Sequence, residues 1–128
     1  MNLEQIDHIA FTCKNPEASK DWYVEVLGFK HIYQGEWNGV PIFIQLGSTA
    51  IALFPETHQS KLQPQAAKGL SHFALRAKTQ SDFKDAQEEL KAKHIEYQFQ
   101  DHDLAHSIYF NDPDGHRVEI TTYDLLEN

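Results

Sequence analysis

The strongest constraint on this chain is that its pattern is written twice. Asp7-His8-Ile9-Ala10-Phe11 is echoed by Ser71-His72-Phe73-Ala74-Leu75, an offset of 64 (71 − 7). Phe43-Ile44-Gln45-Leu46 matches Ser107-Ile108-Tyr109-Phe110 at the same offset, and Ile51-Ala52-Leu53 matches Val118-Glu119-Ile120 at 67 (118 − 51). Two copies of one supersecondary unit, each too small to bury a core alone, are the simplest source of such an echo.

Each copy has the same order of elements. Residues 6–13 are rich in β-formers and read as a strand. Asn15-Pro16-Glu17 then supplies an N-cap, a proline at the first helical position and a first-turn acid. Ala18, Trp22, Val26 and Leu27 recur at helical spacing, and Gly28 ends the helix. Strands follow at 29–36, 40–46 and 49–54, the last two joined by a tight turn at Gly47-Ser48. Residues 55–69 are polar, hold two prolines and have no period, as in a linker. The second copy has a strand at 70–77. Its helix is capped by Thr79 and Asp82 and carries an apolar stripe of Phe83, Ala86 and Leu90. Strands at 94–100, 105–111 and 116–123 complete it, with a turn at 111–115 between the last two. The expectation is an α+β fold of paired βαβββ modules in one domain, 1–128: module one 4–56, linker 57–68, module two 69–124.

Composition narrows the function. With 11 basic and 19 acidic residues the net charge is −8, a poor match to a phosphate backbone, so nucleic acid is not an expected partner. Cys13 is the single cysteine, which excludes an intrachain disulfide and fits a reducing compartment. No apolar run approaches the roughly 20 residues that span a bilayer. The first residues lack the basic start and apolar stretch of a secretory signal, so a cytoplasmic protein with no membrane partner is expected.

Side chains alternate along a strand, which places His8 with Ala10 and Thr12, and His72 with Ala74 and Arg76, each opposite a bulky apolar face. Glu119 shares its face with Arg117, Thr121 and Tyr123. Two imidazoles and a carboxylate are a complete donor set for one divalent metal ion (Fe, Mn, Zn or Ni), with positions left open for substrate. The plainer reading makes each a polar residue tolerated near a strand end, and spacing alone leaves both open. By the same reasoning Trp22 and Phe83 are core, Cys13 faces the helix and is inert, His31, His94 and His116 are surface residues, and His58 sits in the linker.

Three stretches go further: 7–30 (DHIAFTCKNPEASKDWYVEVLGFK), 69–78 (GLSHFALRAK) and 107–120 (SIYFNDPDGHRVEI). Through them the chain resembles the vicinal oxygen chelate superfamily, which includes glyoxalase I, extradiol dioxygenases, fosfomycin-resistance transferases and bleomycin-binding proteins. The resemblance implies that paired modules form a half-barrel metal-binding cleft, with ligand positions falling on His8, Ala52, His72 and Glu119. Ala52 departs from the pattern: alanine neither coordinates nor accepts a proton, which argues against glyoxalase-type isomerisation. In the dioxygenase pattern a tyrosine ten residues before the glutamate lines the site, here Tyr109, and a loop histidine approaches it, with His102 the better match and His106 the alternative. Against that pattern, most such dioxygenases carry four modules. Against the transferase pattern, Ala10 replaces a threonine, and the tail at 124–128 lacks a basic residue. The implied function is a metal-dependent glyoxalase- or dioxygenase-like enzyme, a homodimer acting on a small-molecule substrate with adjacent oxygens. The alternative is a metal-free drug-binding protein of the bleomycin-resistance type, trapping an aromatic ligand against Phe43, Gln45, Tyr109 and Tyr123.

Overall fold

A computed structural model describes residues 1–2, 4–57 and 72–125. Most of the expected linker, together with His58 and Leu70, lies outside the described residues. The chain divides into two compact units, Met1–Gln63 and Pro64–Asn128.

In the first unit, β1 (Ile9–Cys13), α1 (Pro16–Leu27), β2 (Lys30–Ile32), β3 (Ile42–Leu46) and β4 (Thr49–Pro55) follow in order. The sheet runs β1-β4-β3-β2, with β1 parallel to β4 and the other pairs antiparallel. The second unit repeats this with β5 (Phe73–Arg76), α2 (Gln80–Ala92), β6 (Gln98–Asp101), β7 (His106–Asn111) and β8 (Arg117–Thr122), in sheet order β5-β8-β7-β6. Only β5 and β8 are parallel there. Both units are thus βαβββ modules.

The caps are those the sequence implies. Asn15 Oδ1 accepts from the Ala18 amide at 3.1 Å, with Pro16 in the first turn. Gly28 takes the left-handed φ of 79° that closes α1, a conformation costly for a residue with a Cβ. Thr79 and Asp82 form a reciprocal capping box: Thr79 Oγ1 accepts from the Asp82 amide at 3.0 Å, and Asp82 Oδ2 from the Thr79 amide at 3.3 Å.

Three expectations are corrected. The strand expected over 29–36 ends at Ile32, because Tyr33 and Gly35 adopt left-handed φ of 54° and 82° and turn the chain out of the ladder. The strand expected from 94 begins at Gln98, since His94, at φ 59°, still belongs to the exit from α2. The core face of α1 is rotated from the expected stripe. Ser19 and Tyr23 are buried, whereas Ala18 is exposed and Trp22 only half-buried. Gly28 folds the chain back so that Phe29 meets Tyr23 edge-on at 5.3 Å, which selects the tyrosine as the inward ring. In α2 the expected stripe holds at Phe83 and Leu90, both buried.

Each sheet turns one face to its helix. In the first unit that face carries Phe11, Cys13, Ile42, Ile44, Ile51 and Leu53, all buried. In the second it carries Phe73, Ile108, Phe110, Val118 and Ile120. The opposite faces are left for chemistry. Tyr23→Ala should cost about 3–5 kcal/mol, the range for truncating a large buried ring, and Trp22→Ala distinctly less. Urea unfolding of the two variants measures the difference, and equal losses would restore the stripe first expected.

Candidate active site

The polar face of the second sheet gathers five side chains: His72, Glu119, Tyr109, Ser107 and Thr121. Ala74 pairs with Glu119 across β5–β8, so His72, two residues before Ala74, falls on the same face beside the glutamate. Its Nε2 lies 3.1 Å from Glu119 Oε1. Glu119 also pairs with Tyr109, and Thr121 with Ser107, across β7–β8. The Ser107 hydroxyl, fully buried, donates to Glu119 Oε2 at 2.7 Å, and its Oγ lies 2.9 Å from Thr121 Oγ1. One carboxylate oxygen is thus turned to the imidazole while the other is held by a hydroxyl. The His72 ring meets the Tyr109 ring edge-on at 6.0 Å.

His102 reaches Tyr109 from the β6–β7 turn. Its amide donates to the Ala105 carbonyl at 2.8 Å, and Asp103 takes a left-handed φ of 72°. This tight reversal sets His102 Nε2 2.9 Å from the Tyr109 hydroxyl. His106, the alternative, points to the opposite face, where it meets the Phe99 and Phe83 rings. Partial burial, followed by the neighbouring Glu119 charge, raises the Tyr109 pKa above its ordinary value.

The first unit carries the corresponding positions with the polar groups removed. Ala10 pairs with Ala52 as Ala74 pairs with Glu119, so Ala52 is the counterpart of Glu119 (119 − 52 = 67). Phe43 pairs with Ala52 as Tyr109 pairs with Glu119, so Phe43, not Gln45, is the counterpart of Tyr109 (109 − 43 = 66). The match of 43–46 with 107–110 at offset 64 is therefore two residues out of register, although it assigns the faces correctly. Ring contacts agree: His8 stands edge-on to Phe43 at 5.1 Å, as His72 stands to Tyr109. His8 Nδ1 lies 2.8 Å from Asp7 Oδ2, leaving Nε2 for another partner. Gln45 shares the Phe43 face and pairs with Ala50.

Asp112, Asp114 and His116 form a second group whose ligand atoms all lie within 4.8 Å of one another. Here the Asp112 carboxylate is committed to the turn itself. Oδ1 accepts from the amides of Asp114 at 2.9 Å and His116 at 2.8 Å, and Oδ2 meets His116 Nδ1 at 2.7 Å. The hydrogen bond to Asp112 raises the His116 pKa. This half-buried, bonded histidine corrects the expectation of a plain surface residue.

Ser107 and Arg117 are site neighbours that no sequence motif marks. Ser107 was within reach, since the same alternation that places Tyr109 places Ser107 beside it. Arg117 lies over the Tyr109 ring at 4.4 Å from its centroid, a contact that no spacing rule announces.

The family model described as the glyoxalase/bleomycin resistance protein/dioxygenase superfamily matches residues 5–120. The chain belongs to that superfamily. It is 32% identical over 114 residues to biphenyl-2,3-diol 1,2-dioxygenase 2 of Rhodococcus globerulus, covering 88% of this chain and 60% of that protein. The chain therefore spans under two-thirds of that relative. It is 38% identical over 102 residues to YwkD of Bacillus subtilis strain 168, covering 75% of this chain and 77% of that one. The crystal structure of a lactoylglutathione lyase from Agrobacterium tumefaciens superposes with a TM-score of 0.75 at 19% identity over 95% of this chain and 96% of its own, a likeness of fold. Among the described residues no helix is long and apolar enough to cross a membrane.

A raised His116 pKa has a defined sign. The pairing with Asp112 stabilises the folded state fully below the ordinary value of 6.5 and is lost as pH rises through the raised value. The melting-temperature deficit of His116→Ala should therefore be largest near pH 6 and shrink towards alkaline pH. A deficit that does not change with pH would remove the ionic contribution.

Proposed function

We propose that the chain is a metal-dependent enzyme that chelates adjacent oxygens of a small substrate, with His8, His72 and Glu119 as the ligands of one divalent ion. The observation that carries this reading is the His72–Glu119 pair on the polar sheet face. Two ligand atoms bound at right angles, each ~2.1 Å from an ion, stand ~3.0 Å apart, and His72 Nε2 and Glu119 Oε1 are separated by 3.1 Å. The donor set also fits: neutral imidazoles with one charge-balancing carboxylate suit Fe, Mn, Zn or Ni. Ser107 on Glu119 and Asp7 on His8 Nδ1 are the kind of outer partners that orient metal ligands.

When bound, the ion would supply a Lewis acid for the two substrate oxygens. The protein groups around it have separate work. Ser107 holds Glu119 in one orientation. Tyr109, a phenol protonated at neutral pH, donates a hydrogen bond to a substrate oxygen. His102 exchanges a proton with the Tyr109 hydroxyl through their 2.9 Å contact, so the pair acts as general acid and base. Ala52 leaves the fourth ligand position without a proton acceptor, which favours dioxygenase-like over glyoxalase-like chemistry. Similarity to a biphenyl-diol dioxygenase supports the same choice, with a catechol-type diol as the substrate class.

Elemental analysis of purified protein, followed by anaerobic Fe(II) loading and oxygen uptake over a catechol panel, tests this. One equivalent of metal is expected, lost in His72→Ala and Glu119→Gln. Ser107→Ala should weaken retention about 10–100-fold, as for an outer-sphere partner. Tyr109→Phe should keep the metal and slow turnover about 10²-fold or more, the scale of general acid–base catalysis. Protein that takes up none of the four metals would leave the drug-binding alternative in its place, and Fe(II) protein silent towards every catechol would remove the dioxygenase branch.

A further inference from the structure

The second unit holds an open pocket of about 960 Å³, and Tyr109 and Arg117 form one wall of it. Lys91, from the last turn of α2, and His94 face it from another side, while Ile95 and Tyr97 add apolar surface. Glu96 is the one acid in the lining. In a chain of net charge −8, this is a local cationic bias.

Arg117 is its distinctive member. Its guanidinium carbon lies 4.4 Å from the Tyr109 ring centroid, and among the described residues it makes no ion pair with a carboxylate. A guanidinium held over an aromatic ring keeps its N–H groups available to an acceptor. Arg117 lies two residues before Glu119 on the same strand face, about 6.6 Å away at ~3.3 Å per residue. That is about the reach of a substituted six-membered ring from its adjacent oxygens to a group on its far side.

We infer that Arg117 anchors a carboxylate of the substrate in this pocket, so that the chain acts on a small organic acid rather than a neutral molecule. The link to catalysis rests on the function proposed above; the anion site itself does not. A guanidinium fork pairs with a carboxylate in a bidentate, charge-assisted manner that Lys91 cannot replace. The apolar wall suits an acid carried on a ring.

The test is titration of metal-free protein with benzoate and, as the neutral counterpart, benzyl alcohol, followed by ligand-observed NMR and calorimetry. Benzoate should bind saturably and benzyl alcohol far more weakly. Arg117→Gln should weaken benzoate about tenfold or more, as expected for loss of a charge-assisted pair, and Arg117→Lys should recover only part of the loss. Metal uptake and circular dichroism of each variant are measured alongside. Benzoate binding lost in Arg117→Gln with metal uptake and fold intact supports the anchor. Benzoate binding unchanged in Arg117→Gln, or benzyl alcohol held as tightly as benzoate, overturns it. Wild type that binds benzoate but takes up no metal would defeat the metal reading and leave the anchor standing.

Discussion

The chemistry attributed to this chain depends on one carboxylate kept on the polar side of a sheet. Glu119 is buried in the middle of β8, where an unpartnered charge would be costly. It is retained because both oxygens are engaged, one by the buried Ser107 hydroxyl and one by the His72 imidazole. A carboxylate held from two directions has little freedom to reorient, which is what a metal ligand or a fixed acceptor requires. The strand ladder enforces this, since the pairings of Glu119 with Ala74 and Tyr109 bring His72 and the phenol to the same spot.

The duplication explains why one unit carries this network and the other does not. Equivalent ladder positions hold His72, Glu119 and Tyr109 in the second unit, and His8, Ala52 and Phe43 in the first. Each histidine keeps its ring neighbour, while the first unit loses the carboxylate and the hydroxyl. A repeated scaffold with unequal decoration gives one donor-rich face and one donor-poor face from the same backbone pattern.

The topology was legible because its signals are local. Caps at Asn15 and Thr79, the stop at Gly28 and period-2 alternation each act over a few residues, and together they specify the order of elements. What escaped depends on non-local packing. The inward face of α1 is set by Phe29 returning onto Tyr23, which helical spacing alone could not rank above Trp22. The repeat register is set by cross-strand pairing, so the match of four residues at 43–46 slipped by two while preserving the faces. Arg117 is placed by stacking across strands onto Tyr109. The turn at 112–116 shows the converse danger. Its Asp-Asp-His group has metal-ligand composition, yet its central carboxylate is already bonded to the turn's own amides.

The two groups of like composition, His72 with Glu119 and Asp112 with His116, are separated by where a metal ion binds. Crystals soaked with Mn(II), with diffraction collected at the manganese edge, locate the ion by its anomalous signal without reference to activity. A single strong peak is expected within bonding distance of both His72 Nε2 and Glu119 Oε1. A peak at Asp112 and His116 with none at Glu119 would contradict it.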